Sequence, residues 1–521
     1  MQAKPLDPAA VKAMLADGRE LALIDLREEL IFSRSHLLWA RSVPLSRLEL
    51  RFARLVPRKS TRIVLCDDDD AMVGRAAAIL ASAGYTDIAY LQGGIAGWEK
   101  AGFELFSGVN VPSKAFGEHI EHACHTPNIS AEELDDLMRS GTDMVVVDSR
   151  PFDEFQRVSI PTATNVPGAE LVLRIRDIAP SPDTLVVVNC AGRTRSIIGA
   201  QSLINAGLPN KVVALRNGTM GYTLAGLKPD SGKSICYGDP SGPGLAWARA
   251  AADGVAKKFG VMRIEPAAIE GFRADASRTL YLFDVRDPTE YLAGHFPGAV
   301  NAPGGQLVQA TDQYAGTLGA RIVLVDDREV RALMTASWLR QMGWRDVFVL
   351  AASGDETGHP PTPVLGRAPP AERLVEPKDL SELVAKDRVT VVDLSLSPTY
   401  RKGHIPGAWF AIRTRLSQAL AKIPMNGELI LTSEDGVLAG LAVSESRTPA
   451  RALRGGNAAW HAAGFSLATE PRMADEPLDY WPKPYERPGN TTEAMKEYLS
   501  WEVDLMPRIA RDGTTRFIGP L

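Results

Sequence analysis

The feature that most constrains the fold is a pattern that recurs four times along the chain. Each copy is an apolar run that ends in an aspartate and leads on to a proline: LALIDLREELIFSRSHLLWARSVP, MVVVDSRPFDEFQRVSIPTATNVP, LYLFDVRDPTEYLAGHFPGAVNAP and VTVVDLSLSPTYRKGHIPGAWFA. The aspartates are Asp25, Asp148, Asp284 and Asp393. Their spacing of about 110–135 residues is far longer than the roughly 20–50 residues of a solenoid repeat, so the pattern predicts four tandem domains.

Each copy continues with a second apolar strand signal and then a helical pattern. The strand signals are RIVLCDDD, TLVVVNC, RIVLVDD and ELILTSED. In the first three copies, Gly84, Gly207 and Gly343 follow the helical pattern at the position of a C-terminal cap. Short apolar runs that alternate with helices indicate an α/β fold in which a mainly parallel sheet, buried on both faces, is flanked by helices.

Stretches rich in proline and glycine predict the boundaries between the domains. We expect domains at residues 1–110, 120–232, 260–365 and 371–470. Residues 233–259 form a linker, in which GLAWARAAADGVAKKFG predicts an amphipathic helix. Residues 471–521 form a C-terminal tail with one short helix, and its aromatic side chains favour docking on the body of the protein over disorder.

Charge and cysteine usage exclude several function classes. The net charge of −5 gives no reason to expect a nucleic-acid partner, and no window approaches the roughly 18 apolar residues of a membrane span. The N-terminus lacks the pattern of a signal peptide. Four cysteines without CxxC or Cys/His spacing predict neither a disulfide framework nor a metal site, so we expect a cytoplasmic protein without a membrane partner.

One of these cysteines stands between a strand and a helix, in VVVNCAGRTRSIIGAQSL at residues 186–203. Strands of a parallel sheet carry ligand sites at their carboxyl ends, and Cys190 occupies such an end. The N–H groups of a tight loop at a helix N-terminus, the helix dipole and the side chains of Arg193 and Arg195 all favour a thiolate over a thiol. The sequence therefore predicts that Cys190 is a nucleophile in a cradle that also binds anions, and that Ser196 caps the helix.

The corresponding loops of the other three copies lack a nucleophile. Counting back from the helix-terminating glycine aligns Cys190 with Asp67 and Asp326, and the fourth copy has Ser433 or Glu434 in that region. A carboxylate would repel an anionic ligand and cannot attack sulfur. We therefore expect one catalytic domain, the second, and three inactive ones.

These motifs resemble the rhodanese superfamily over about 470 of the 521 residues. The resemblance is carried by DSRPFDEF at 148–155, DVRDPTEYLAGHFPGAVNAP at 284–303, GHIPGAW at 403–409 and NCAGRTRS at 189–196. It implies a rhodanese α/β fold in each domain and a sulfurtransferase activity in which Cys190 carries a persulfide. The donor would be thiosulfate or a related persulfide, and the acceptor a thiol or cyanide.

By the same resemblance, the substrate and the persulfide are bound by the loop that follows the nucleophile, and no metal or organic cofactor is required. The loop residues are Ala191, Gly192, Arg193, Thr194, Arg195 and Ser196. Ala191 stands where rhodaneses most commonly have arginine, which leaves the donor open. The loop also differs from the Cys-Gly-Ser-Gly form of mercaptopyruvate sulfurtransferases, which disfavours 3-mercaptopyruvate.

Two other functions remain open. Related phosphatases and arsenate reductases use a Cys-x5-Arg loop that accommodates a tetrahedral oxyanion, whereas here four residues separate Cys190 from Arg195. Alternatively, the protein is a sulfur carrier or scaffold that works with a partner.

The remaining marked residues favour structural interpretations. The set Asp148, Arg150 and Glu154 recurs in the third copy, which indicates an ion-pair network and not a catalytic cluster. His295 and His404 lie in copies without a nucleophile and indicate scaffold roles. We further interpret 67–70 as a solvated acidic turn, Cys124 and Cys236 as uninvolved thiols, and Arg216 as a side chain that faces the catalytic loop.

Overall fold

Each of the four repeats forms one sheet, and the named strands of every sheet pair in parallel. The structure, a computed structural model, describes residues 3–487 and 489–519; the ends of the predicted first domain and of the predicted tail lie outside them. The strand orders are β1-β5-β4-β2-β3, β6-β10-β9-β7-β8, β11-β15-β14-β12-β13 and β16-β20-β19-β17-β18-β21, numbered along the chain with the bounds given below. The predicted α/β fold with four mainly parallel sheets flanked by helices is confirmed.

Domains 1 and 2 have the same order of elements. Domain 1 contains strands β1 (Lys4–Leu6), β2 (Ala22–Asp25), β3 (Arg41–Ser42), β4 (Ile63–Cys66) and β5 (Ile88–Leu91), and helices α1 (Pro8–Ala16), α2 (Glu29–Phe32), α3 (Leu48–Leu55), α4 (Val73–Ser82) and α5 (Gly94–Lys100). Helix α6 (Val111–Cys124) leads into domain 2. Domain 2 contains β6 (Asn128–Ile129), β7 (Met144–Asp148), β8 (Thr164–Asn165), β9 (Leu185–Asn189) and β10 (Val212–Leu215), and α7 (Ala131–Arg139), α8 (Phe152–Arg157), α9 (Leu171–Ile178), α10 (Thr194–Asn205) and α11 (Gly218–Leu224).

Domains 3 and 4 follow helix α12 (Gly242–Lys258). Domain 3 contains β11 (Met262–Ile264), β12 (Leu280–Asp284), β13 (Val300–Asn301), β14 (Arg321–Val325) and β15 (Val347–Leu350), and α13 (Ala267–Ala274), α14 (Pro288–Ala293), α15 (Gly304–Gln309), α16 (Thr311–Tyr314) and α17 (Val330–Gln341). Domain 4 contains β16 (Leu374–Val375), β17 (Val389–Asp393), β18 (Trp409–Phe410), β19 (Glu428–Thr432), β20 (Ala450–Leu453) and β21 (Arg472–Met473), and α18 (Pro377–Ala385), α19 (Ser397–Lys402), α20 (Leu416–Leu420), α21 (Val437–Val443) and α22 (Gly456–Ala462).

Domains 2 and 3 share one continuous hydrophobic core. Helix α12, in the segment that the sequence predicts as a linker, packs against α9 of domain 2 and α17 of domain 3. Its buried face, which includes Ala248, Ala252 and Val255, joins core residues of both domains in a single cluster. Small side chains on this face allow the helices on both sides to approach closely.

The stretch between the predicted domains 1 and 2 contains the start of helix α6, at Val111. Pro112 lies in the first turn of α6, where a missing N–H costs nothing because the first N–H groups of a helix lack intrahelical partners. Most of this helix is buried, and it packs against α10 of domain 2. The proline therefore marks the start of a helix that belongs to the catalytic-loop region.

The C-terminal tail is more ordered than the single short helix that the sequence predicts. It forms α23 (Thr491–Val503) and α24 (Leu505–Asp512), and β21 adds a sixth strand to the sheet of domain 4 beyond residue 470. Helix α24 packs against α6, and α23 contacts α6 and α11. The aromatic side chains that predict docking include Trp501, which packs against the cluster of Leu505 and Ile509.

The recurring motif residues stabilise the repeats. Asp148 accepts hydrogen bonds from both the backbone and the guanidinium of Arg150 at 2.7–3.1 Å, and both side chains are buried. His404 stacks on Tyr400 with ring centroids 4.0 Å apart, and His295 stacks on Tyr291 at 3.9 Å. These contacts are internal to each domain, as the structural interpretation requires.

Candidate active site

Cys190 is the first residue after the central strand β9 and lies just before helix α10. It is 2% exposed. Its carbonyl oxygen accepts hydrogen bonds from the backbone N–H of Thr219 at 2.8 Å and from the Thr219 hydroxyl at 3.1 Å. Gly218 permits this contact, because a Cβ at that position would lie 2.3 Å from the same oxygen. The start of α11 thus fixes the backbone of the nucleophile.

The Ser196 hydroxyl points towards the sulfur of Cys190. The sequence predicts that Ser196 caps the helix, and this prediction is wrong. The thiol of Cys190 donates to Ser196 Oγ at 3.5 Å, and Ser196 Oγ donates to the carbonyl of Arg193 at 2.8 Å. Helix α10 begins at Thr194, so Ser196 is the third helical residue and lies too far along the chain to act as the N-cap. The hydroxyl therefore links the Cys190 thiol to the carbonyl of Arg193 within the catalytic loop.

The equivalent position holds an aspartate or a serine in the other three domains. Asp67 follows β4, Asp326 follows β14 and Ser433 follows β19, and all three are buried. The equivalent in domain 4 is thus Ser433 and not Glu434. Of the four topologically equivalent positions, Cys190 is the one that carries a thiol.

In domains 1 and 3 the aspartate carboxylate occupies the cradle of loop amides. Asp67 accepts hydrogen bonds from the N–H groups of Asp70 at 2.6 Å and Met72 at 2.7 Å. Asp326 accepts them from the residues two, five and six positions later, at 3.2, 2.8 and 3.3 Å. The interpretation of residues 67–70 as a solvated turn is therefore wrong for Asp67, whose carboxylate is an internal anion bound by the helix start.

The two arginines of the catalytic loop are already paired with carboxylates. Arg193 binds Glu118 of α6 through two hydrogen bonds of 2.7 Å and also contacts Glu121. Arg195 binds Glu154 of α8 at 2.8 Å. Burial alone would lower the pKa of Arg195, but Glu154 and the nearby sulfur of Cys190 raise it above its usual range. Arg195 thus lies within electrostatic reach of the sulfur as a permanent cation.

Glu154 differs from the role that the sequence predicts. It does not join Asp148 and Arg150 in one ion-pair network but binds Arg195 and, at 3.2 Å, Lys483 of the tail. Burial alone would raise the pKa of Glu154, but Arg195, Lys483 and Arg150 hold it well below its usual range. Arg216 also departs from its interpretation, because it is exposed and donates to Asn128 at 2.8 Å, away from the loop.

Cys190 and its loop line a cavity of about 210 Å³. The other walls come from distant parts of the chain: Glu29 from domain 1, Lys114 from α6, Gln309 and Gln313 from domain 3, and Tyr480, Trp481, Lys483 and Tyr485 from the tail. The sequence indicates none of these residues as part of the site. The aromatic residues of the tail are the one signal, since they predict docking, but not where the tail docks.

A buried ion pair attaches the tail to the catalytic loop. Glu502 of α23 is fully buried and lies 3.0 Å from Lys114 Nζ. Thr194 and Tyr498 donate to the same carboxylate oxygen at 3.4 and 3.1 Å. Burial alone would lower the pKa of Lys114, but Glu502 and Tyr498 raise it well above its usual range. A side chain at position 192 would meet this assembly, since a Cβ there would lie 3.2 Å from Glu502 Oε2.

Some properties concern the whole described part of the chain. All four cysteines are free thiols. Within residues 3–487 and 489–519, no group of three or more His, Cys, Asp or Glu side chains could hold a metal ion. Over the same residues, no helix is long and apolar enough to cross a membrane.

Comparison with known proteins gives matches to the repeats and to the full length. The model of the rhodanese-like domain matches residues 7–101, 130–225, 269–355 and 376–463. The crystal structure of thiosulfate sulfurtransferase from Pseudomonas aeruginosa is 45% identical, with a TM-score of 0.95, and the match covers 99% of this chain and all of that one. The HTH-type transcriptional regulator Rv0324 of Mycobacterium tuberculosis is 32% identical over 101 residues, which are 19% of this chain and 44% of that protein. With four matched domains that together exceed half of its length, the chain belongs to the rhodanese family.

Proposed function

We propose that the protein is a sulfurtransferase that moves a sulfane sulfur from thiosulfate or a related persulfide donor to a thiol or cyanide through a persulfide on Cys190. The observation that carries this proposal is the single thiol among four equivalent positions, placed at a helix start inside a cavity. The full-length similarity to a thiosulfate sulfurtransferase supports the same reaction and donor. The other three domains are inactive in this proposal.

In the first step the thiolate of Cys190 attacks the outer sulfur of thiosulfate. A new S–S bond forms to Cys190, the S–S bond of thiosulfate breaks, and sulfite leaves with the bonding electron pair. The carboxylates of Asp67 and Asp326 serve as stand-ins for the bound anion, because they lie in the equivalent cradles. By position, their donors correspond to the N–H groups of Gly192, Arg193, Arg195 and Ser196, which we assign to substrate binding together with Ala191 and Thr194.

In the second step the acceptor attacks the outer sulfur of the persulfide. A thiolate gives a new persulfide and cyanide gives thiocyanate; in both cases the S–S bond to Cys190 breaks and its electron pair returns to the Cys190 sulfur. The negative charge lies on the outer sulfur of the persulfide after the first step and on the Cys190 sulfur after the second, and the nearby cation of Arg195 stabilises it in both places. The reaction needs no cofactor.

Intact mass spectrometry tests the proposal. After incubation with thiosulfate and removal of excess donor, the wild-type chain gains one sulfur atom, and Cys190→Ser does not. Cys236→Ser is the matched control, because Cys236 is exposed and lies outside the cavity. Hydrolysis of phosphate esters without an adduct would favour a phosphatase, and a persulfide that is discharged only by a second protein would favour a sulfur carrier.

Replacing Arg195 should slow the reaction without removing the nucleophile. We expect Arg195→Gln to lower kcat/KM for thiosulfate by about a hundredfold, the usual effect of losing one group that stabilises developing charge. Glu154 keeps Lys483 as a partner at 3.2 Å, which limits structural damage. Arg216→Gln removes an exposed arginine of the same domain and should leave kcat/KM unchanged. Equal rates for the two variants would contradict the role of Arg195.

The cytoplasm is the proposed compartment. Four free thiols, one of them the nucleophile, suit a reducing environment. The proposed partners are a small sulfur-containing anion or persulfide as donor and a thiol as acceptor, with neither nucleic acid nor a membrane involved.

A further inference from the structure

The cations that line the catalytic cavity are all neutralised by the protein itself. Lys114 pairs with Glu502 and Arg193 pairs with Glu118. Arg195 and Lys483 both pair with Glu154. With Glu121 as a second partner of Arg193, four cations face four carboxylates. Each of these cations of the cavity wall is therefore already paired with a carboxylate of the protein.

Glu29, in contrast, is a carboxylate of the cavity wall without an ion-pair partner among the described residues. It lines the same cavity, at the first position of α2, and forms no ion pair with any residue that the structure describes. Burial raises the pKa of Glu29 to about 7; Arg51 opposes this shift from beyond ion-pair distance, and Asp479 and Asp312 add to it. A buried carboxylate whose counter-charge, Arg51, lies beyond ion-pair distance gains from a cationic ligand that binds at closer range.

We propose that Glu29 binds an ammonium group of the sulfur acceptor, so that the preferred acceptors are small aminothiols. This inference rests on the proposed function, and it names the acceptor class of the same site. In the proposed function the loop amides and Arg195 accommodate the donor's anion, which leaves Glu29, a lining residue from a different element, for the acceptor. A volume of about 210 Å³ is large enough for a small aminothiol.

The neighbouring aromatic rings fit the same ligand. Trp481 and Tyr498 line the cavity with ring centroids 6.2 Å apart. Rings of this kind attract cations through their electron-rich faces, as Tyr498 does with Lys114 at 5.7 Å. In the reaction, the thiolate of the aminothiol attacks the outer sulfur of the Cys190 persulfide, the S–S bond to Cys190 breaks with its electron pair returning to Cys190, and the aminothiol leaves as its persulfide.

Three thiols of similar size test the inference: cysteamine, which carries an ammonium, 2-mercaptoethanol, which is neutral, and 3-mercaptopropionate, which carries a carboxylate. With thiosulfate as donor, we measure kcat/KM for each acceptor in the wild type, Glu29→Gln and Glu29→Lys at one pH. Because the intrinsic reactivity of each thiol is common to all enzyme forms, changes in the ratios isolate residue 29. We expect Glu29→Gln to reduce the preference for cysteamine over 3-mercaptopropionate by about tenfold, and Glu29→Lys to reduce it further.

Glu99→Gln removes an exposed glutamate of the same domain, is the matched control, and should preserve the wild-type ratios. Ratios that are equal in the wild type and both Glu29 variants would overturn the inference while leaving the sulfurtransferase intact. Persulfide formation in the wild type, followed separately by intact mass, distinguishes the two cases: a wild type that forms no persulfide overturns the proposed function and this inference together.

Discussion

Cys190→Ser is expected to lower the rate of sulfur transfer from thiosulfate by at least about a thousandfold, because loss of the nucleophile removes the covalent route altogether. Serine is close to cysteine in size and can donate a hydrogen bond to Ser196 Oγ in place of the thiol after a small adjustment. The fold should therefore survive, and the loss should lie in kcat and not in stability. Thiocyanate formation from thiosulfate and cyanide measures the rate.

Two controls make this result specific. Circular dichroism and the thermal midpoint of the Cys190→Ser variant should match those of the wild type. Cys236→Ser should retain full turnover, since this exposed thiol lies outside the cavity. A Cys190→Ser variant with residual activity within a few-fold of the wild type would show that sulfur transfer does not pass through Cys190.

The second large effect is expected at Arg331, the residue of domain 3 that corresponds to Arg195. Its guanidinium is fully buried and binds four carboxylates: Asp326, Asp327, Glu290 and, from domain 2, Glu170. Burial alone would lower the pKa of Arg331, but Asp326, Glu170 and Glu290 raise it above its usual range. Arg331→Met removes the shared counter-charge of Asp326, Asp327 and Glu290, while Glu170 keeps Arg174 at 2.9 Å. The substitution should destabilise the protein by about 3–5 kcal/mol, the cost of breaking a buried ion pair.

Hydrogen exchange followed by mass spectrometry localises this effect. In Arg331→Met, the peptides that contain β12 and β14 should exchange faster than in the wild type, and the urea midpoint should fall. Arg345→Met removes an exposed arginine of the same domain and should change neither. Wild-type exchange in the Arg331 variant would contradict the view that this cluster stabilises the contact between domains 2 and 3.

The repeated fold is predictable from the sequence because each domain carries its own local evidence. Buried parallel strands read as apolar runs, and Gly84, Gly207 and Gly343 all have positive φ angles where the helical patterns end. Some residue types occur in more than one kind of local structure, and there the sequence alone is ambiguous. Stretches rich in proline and glycine predict the boundaries between domains, but Pro112 lies in the first turn of α6, where proline is tolerated.

The sequence predicts only those active-site residues that are contiguous along the chain. Cys190 and the loop that follows it are contiguous. Their position between a strand and the start of a helix, together with two arginines, identifies them as a candidate site. Other residues at the site come from distant parts of the chain: Glu29, Lys114, Lys483 and Glu502. No local pattern relates a tail glutamate to a lysine on α6, 388 residues earlier in the chain. Even within the loop, the sequence predicts the two cations, Arg193 and Arg195, but not the carboxylate with which the fold pairs each of them.

The origin of the cavity walls has a kinetic consequence. Domains 1, 2 and 3, α6 and the tail all contribute side chains to the space around Cys190, and all belong to one polypeptide. Many enzymes obtain such composite sites by bringing two subunits together, and they lose them when dilution separates the subunits. Here the assembly of the cavity is a first-order step of folding, so its completeness does not depend on the concentration of the protein.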